Sequence, residues 1–195
     1  MTQGPDHERL YHIAEGQGGY FSARQAAEAG FSWERLSYHA KTRHFQRVSR
    51  GVYRLARFPP SPFEDLFVAW LRTGLGAAIS HESALSVYEL SDVLPGEIHV
   101  TVPRTASRRR TGIRLHTNRL TSADVTWREG LHVTTVPRTI ADVAAAGLPE
   151  EQVRQAVLEA LKRGLTNRES LQGEVDRRGA RAARVIRAVL GQVET

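Results

Sequence analysis

Between Phe31 and Arg57 the chain carries seven basic residues, Arg35, Lys41, Arg43, Arg47, Arg50, Arg54 and Arg57, against Glu34 alone. Cationic side chains at that density point to one chemistry, the neutralisation of a polyanion. Hydroxyl and aromatic residues, Ser32, Trp33, Ser37 and Tyr38, stand among them and add contacts to base edges and phosphates. A second block, Arg104 to Arg119, holds six arginines and no acid. Its core, Arg104, Arg108, Arg109 and Arg110 beside Thr105 and Ser107, reads first as a solvated loop, since charge runs usually are, with a second nucleic-acid contact as the alternative.

Other chemistry finds little support in the residues. His81 and Glu82 lack the second histidine four places on that a zinc-protease helix requires. No phosphate-cradling GxxxxGK[ST] or GxGxxG and no GxSxG nucleophile turn occurs. Arg138 and Asp142 stand one helical turn apart, which reads as an ordinary i, i+4 ion pair worth about a few tenths of a kcal/mol. With no cysteine in the chain, disulfides, thiolate metal sites and cysteine nucleophiles are excluded. The expectation is therefore no catalytic residue, no metal and no cofactor.

Composition frames these residues. The 195-residue chain is 41% hydrophobic and 25% charged, ordinary for one large or two small globular domains. Its 27 basic residues, nearly all arginine, exceed 21 acidic ones, and the net charge of +6 raises the pI to about 10.3. No apolar run approaches the roughly 18 residues of a membrane helix, and Pro5, Asp6, Glu8 and Gly16 interrupt any apolar signal core near the start. A cytoplasmic location without membrane contact is expected.

The elements that position the basic residues follow from caps and periodicity. Leu10, Ile13 and Ala14 have helical spacing within Asp6 to Glu15, and the glycines 16, 18 and 19 end that helix. Ser22 caps an alanine-rich helix to Ala29, Gly30 ends it, and Ser32 caps the next. Two helices meeting across Gly30 and Phe31 have the spacing of a helix-turn-helix. Leu36 and Ala40 share the face that packs inward, which turns Trp33, Ser37, Tyr38 and Lys41 outward with Arg35 on the flank. Trp33 is equally compatible with the core. Phe45, Val48, Val52, Tyr53 and Leu55, broken by Ser49, Arg50 and Gly51, predict a β-hairpin, the wing, bearing Arg47, Arg50 at the tip, and Arg54. The candidate DNA contacts are thus Ser32, Trp33, Arg35, Ser37, Tyr38, Lys41, Arg47, Arg50 and Arg54.

Phe58, Pro59, Pro60, Ser61 and Pro62 form a stiff stretch, so residues 1–57 are read as the winged helix-turn-helix, 58–62 as a linker and 63–195 as a second domain. That domain opens with a helix from Phe63 to Leu71 and a second from the cap Ser80 to about Leu90. Ile98, Val100 and Val102 alternate with His99 and Thr101, and Ile113 and Leu115 with Arg114 and His116, predicting two strands. Val125 to Trp127 and Leu131 to Val133 bracket Glu129 and Gly130 as a further hairpin. Helices return at Pro137 to Ala146, Pro149 to Arg163, Asn167 to Arg177 and Ala180 to Leu190. The fold class is α+β, a winged helix-turn-helix followed by a mixed α/β domain with a small sheet and C-terminal helices.

The run Gly30-Phe31-Ser32, then Leu36, Ala40, Phe45 and Arg47-Val48-Ser49-Arg50-Gly51-Val52-Tyr53, resembles the N-terminal winged helix of the AbiEi antitoxins. Ala78 to Leu85, Ile98 to Arg104, Gly130 to Thr134 and Pro137 to Asp142 resemble, in order, recurrent segments of the same family. Val136 departs from it, standing where a small hydroxyl residue often caps the helix. The resemblance implies a transcriptional autorepressor that binds inverted repeats in double-stranded promoter DNA, with self-association on the DNA. It also implies an antitoxin-like second domain and a nucleotidyltransferase toxin opposed without a stable complex. Two other readings remain open. One is a protein-interaction module on the same fold, and the other a metal-dependent nuclease or hydrolase using Asp142, His81 and Glu82.

Overall fold

The computed structural model describes residues 4–92, 95–103 and 110–192. They form two compact units, Met1–Leu75 with Glu129–Leu131, and Gly76–Arg128 with His132–Thr195. The Arg104, Arg108 and Arg109 part of the second basic block lies outside the described residues.

The first unit runs α1 (His7–Glu15), β1 (Tyr20–Ser22), α2 (Ala23–Glu28), α3 (Trp33–Lys41), β2 (Phe45–Ser49), β3 (Val52–Leu55) and α4 (Glu64–Thr73). Two caps, Ser22 and Ser32, are where the sequence predicts them, and Asp6 adds a third. Asp6 accepts from the Arg9 amide, Ser22 and Gln25 close a reciprocal capping box, and Ser32 accepts from the Arg35 amide. Each cap satisfies an amide left bare by the first helical turn, so three helix starts are set locally.

The hairpin is joined by a third strand, in the order β1-β3-β2. β1, only three residues long, is too short to show a period and was not foreseen. Residues directly opposite in an antiparallel pair share a face of the sheet. The register Tyr20↔Arg54 and Gln46↔Arg54 therefore puts these three side chains on one face, while Phe21↔Tyr53 lie on the other. The second face closes the core, where Phe21, Phe45 and Tyr53 meet Leu10 and Ala14 of α1, Ala26 of α2, Leu36 of α3 and Phe31 from the turn between α2 and α3.

The Tyr20 face is covered by α4. Tyr20 stacks on Phe67 with ring centroids 4.6 Å apart, donates its hydroxyl to Glu64 at 2.8 Å and accepts from the Ser61 amide at 3.1 Å. Burial first, and the hydrogen bond to Glu64, raise the Tyr20 pKa, so the phenol stays a donor. The helix expected to open the second domain thus packs on the first, and residues 58–62 run within that unit instead of separating two. Proline stiffness marked a change of element there, not a change of core.

The second unit contains β4 (Ala78–Ile79), α5 (His81–Val87), β5 (Ile98–Val102), β6 (Ile113–Thr117), a 3-10 turn at Ser122–Asp124, β7 (Val125–Arg128) and β8 (Leu131–Thr134). Helices α6 (Val136–Ala146), α7 (Glu150–Lys162), α8 (Arg168–Arg178) and α9 (Ala180–Gln192) follow. The sheet order is β6-β5-β4-β8-β7, with β5 parallel to β6 and β4 parallel to β8. Glu129 and Gly130 take φ of 52° and 77°, the doubly left-handed pair of a type I′ hairpin turn. Ile140, Val143, Val157, Leu171, Val175 and Ile186 are fully or almost fully buried among the helices. The central two-residue strand β4 escaped the sequence reading because two residues carry no alternation.

Alternation on β5 and β6 matches the sequence reading, but its consequence differs. With Thr101 opposite His116 and His99 opposite Arg114, the polar phase of both strands shares one face. The start of α5 covers that face: Ser80 Oγ accepts from Thr101 Oγ1 at 2.8 Å and Ser83 Oγ accepts from the His99 amide at 2.9 Å. His99 and Thr101 are consequently buried instead of facing water.

Candidate functional site

α3 projects from the first unit on a single buried anchor, Leu36. Trp33, Ser37 and Lys41 recur at i, i+4 and i+8 and form one stripe, with Tyr38 beside it and Arg35 on the flank. Trp33 and Tyr38 are each 61% exposed, which settles Trp33 as a surface residue. Ser37 is half-buried, and Ser32, Arg35 and Lys41 are exposed. Behind the stripe His39 packs on the rings of Phe31 and Phe45, and burial, then the neighbouring His7, lowers its pKa. It serves as packing, not as charge. A hydrogen bond from Ser32 holds the Glu34 carboxyl below its usual range, leaving an anion in the first turn.

In the hairpin, Arg47 and Arg50 are exposed, and a bulge between Arg47 and Ser49 shifts the register there. Gly51 has φ of 76° with open space around it, so the turn demands glycine for its backbone, not for room. Among the described residues, Arg35, Lys41, Arg47 and Arg50 form no ion pair, whereas Arg24 is matched by Glu28 at 3.0 Å. Their charge is available to an external anion.

Arg54 is a correction. It is 5% exposed, donates to the Phe58 carbonyl and to Gln46 Oε1, and lies over the Tyr20 ring at 5.9 Å. The face assignment explains this: β3 has both sides covered, so Tyr53 and Arg54, on opposite faces, are both buried. Arg54→Ala is expected to lower the stability of the first unit by about 1.5–3 kcal/mol, the range for a buried charged hydrogen bond, in a denaturant melt. DNA affinity per folded molecule should change far less than for Arg50→Ala.

Two polar clusters of the second unit were not assembled from the sequence. Arg138, fully buried, bonds Asp142 through Nε at 2.6 Å and meets Asp124 at 3.0 Å. Arg178 joins them, 3.3 Å from Asp124 and 2.6 Å from the buried Glu174. Burial pushes the Asp142 carboxyl up against the opposing pull of Arg138. For Asp124, burial is outweighed by hydrogen bonds from Thr121, so its pKa falls. The expected surface ion pair is therefore one edge of a buried network, and Asp142 is committed to it.

His81 and Glu82 instead meet His99 and His116. Glu82 Oε2 lies 2.6 Å from His99 Nδ1, His99 Nδ1 lies 3.4 Å from His116 Nε2, and the His81 and His116 rings stack at 3.5 Å. Burial lowers His81 to about 3 and His116 to about 4, each reinforced by the neighbouring histidines. Burial opposes ionisation of Glu82, but the bond to His99 prevails and its carboxyl falls to about 2. The only trace of this cluster in the sequence is that His99 and His116 sit in the polar phase of two adjacent strands.

No helix among the described residues is long and apolar enough to cross a membrane. None of the curated proteins matches the chain. The fold is similar to the crystal structure of the RV2827C protein from Mycobacterium tuberculosis, with a TM-score of 0.56 at 15% identity, over 98% of this chain and 78% of that one. Residues 8–56, from α1 to the end of the hairpin, match the family described as transcriptional regulator, AbiEi antitoxin, the family whose winged helix the sequence resembles.

Proposed function

We propose that this protein is a sequence-specific DNA-binding transcriptional repressor that acts by binding and not by catalysis. The observation that carries the reading is the set of unpaired cations, Arg35 and Lys41 on α3 with Arg47 and Arg50 on the hairpin, around an exposed aromatic and hydroxyl stripe. On a winged helix-turn-helix, α3 would enter the major groove with Ser32, Trp33 and Arg35 nearest the base edges. Ser37, Tyr38 and Lys41 would reach bases or phosphates, and the hairpin arginines the adjacent phosphates or minor groove. The match of residues 8–56 to a regulator family supports the same reading.

The test is an anisotropy titration of the full chain against the DNA upstream of its own gene, with unrelated DNA as competitor and salt varied. Specific binding should exceed competitor binding by roughly 10³-fold or more. Equal affinity for both DNAs would leave α3, with Trp33 and Tyr38 exposed, as a protein-docking face.

The resemblance also motivates an antitoxin role against a nucleotidyltransferase toxin, exercised without a stable complex, and self-association on repeated half-sites. Co-expression with a neighbouring toxin gene should restore growth while the two proteins elute apart in gel filtration. Co-elution at moderate salt would replace that picture with direct neutralisation.

A further inference from the structure

We propose that His81, His99 and His116 form a binding site for one divalent transition-metal ion of the zinc class, with Glu82 supplying the negative charge beside it. The inference is independent of DNA binding and lies wholly within the second unit.

The three side chains come from three elements, α5, β5 and β6, and each offers a ring nitrogen within 4.8 Å of the other two. Zinc held by imidazole at about 2.0–2.1 Å in a tetrahedron places its ligand atoms roughly 3.4 Å apart. Rotation about the Cβ–Cγ bonds closes the difference, and His99 Nδ1 and His116 Nε2 already stand 3.4 Å from each other. His81 and His99 are buried and His116 is half-buried, so an ion held among them is largely screened from solvent.

Two further features fit an ion. His81 holds φ of 51°, a conformation costly for a residue with a Cβ, and its ring stacks on that of His116. Glu82 Oε2 is buried 2.6 Å from His99 Nδ1, so its charge is directed at the cluster. That nitrogen is the one that faces His116, so the carboxylate stands on the ion's side of the ring and supplies its charge there directly. The set of three imidazoles and one carboxylate suits zinc, cobalt or nickel rather than magnesium or calcium.

The test uses the full chain, stripped with a chelator and exchanged into metal-free buffer. Zn²⁺ is titrated against a chromophoric competitor, and Co²⁺ is added separately to read its visible d–d bands. The expected result is one Zn²⁺ per chain, the absorption of a four-coordinate nitrogen and oxygen site with Co²⁺, and a Zn²⁺-dependent rise in the melting temperature. His116→Ala, on the sheet's edge strand, should weaken Zn²⁺ binding by more than roughly 10-fold and abolish the Co²⁺ bands. Glu82→Gln should weaken it by roughly 10- to 100-fold, the range for a group that supports a ligand. His44→Ala, an exposed histidine of the first unit, should change nothing. Absence of stoichiometric Zn²⁺ uptake by the wild-type chain overturns the site, as does uptake by both His116→Ala and Glu82→Gln with wild-type affinity. Should His116→Ala fail to fold, Glu82→Gln and the Co²⁺ spectrum of the wild-type chain decide.

Discussion

Arg138→Met will destabilise the second unit by about 3–5 kcal/mol, the cost of removing one partner from a buried ion pair. The arginine is fully buried and faces Asp142 and Asp124 at 2.6 and 3.0 Å. Methionine fills much of the same volume, so the loss comes from charge and not from a cavity. Arg178 remains to serve Asp124, Asp142 and Glu174, with Arg177 also on Glu174, two cations against three carboxylates. Some of them must then take up a proton or draw in water. Urea unfolding followed by circular dichroism measures the effect, and Arg154→Ala is the control. Arg154 makes an exposed pair with Glu151, 3.3 Å away, and its loss should stay within about 0.5 kcal/mol. A loss below 1 kcal/mol in Arg138→Met would show that the network contributes no more than a surface pair.

The combined variant Arg35→Ala, Lys41→Ala and Arg50→Ala will lose on the order of 100-fold in affinity for operator DNA near 0.15 M salt. Lys41 and Arg50, as phosphate contacts, each contribute a salt exponent of about 0.9, equivalent to roughly fivefold at that ionic strength, and loss of Arg35 from the base edges adds about 1–3 kcal/mol, roughly fivefold or more. The slope of log K against log salt should flatten by about 1.8. All three side chains are exposed and unpaired, so unfolding should be unaffected and the loss attributable to binding. Trp33→Ala tests the stripe differently. If its indole contacts bases, discrimination between operator and competitor falls while the salt slope stays unchanged. Wild-type affinity in the combined variant would remove DNA contact from this face.

The sequence by itself determined the features that depend on neighbours along the chain. Ser22 and Ser32 cap helices, Gly30 and Gly51 supply left-handed turns, and Leu36 at helical spacing chooses which side of α3 faces inward. These are interactions within a turn or two, and together they were enough to expose Trp33's neighbours and set the hairpin. Only the tertiary structure decided what covers each surface so built. Arg54 looked like a wing cation, but α4 closes the second face of the sheet through Tyr20 and Phe67, so Arg54 is buried while Arg50, in the turn beyond both strands, stays exposed. Arg138 and Asp142 were legible as a pair one turn apart. Their burial, and the arrival of Asp124 and Arg178, depended on how α6 meets α8 and the 3-10 turn before β7. His81, His99 and His116 carry no spacing signal, because parallel pairing of β5 with β6 and the seating of α5 brings them together. Local caps and periods act through hydrogen bonds a few residues long, whereas burial is a property of surfaces from distant segments, and only the folded chain sums those.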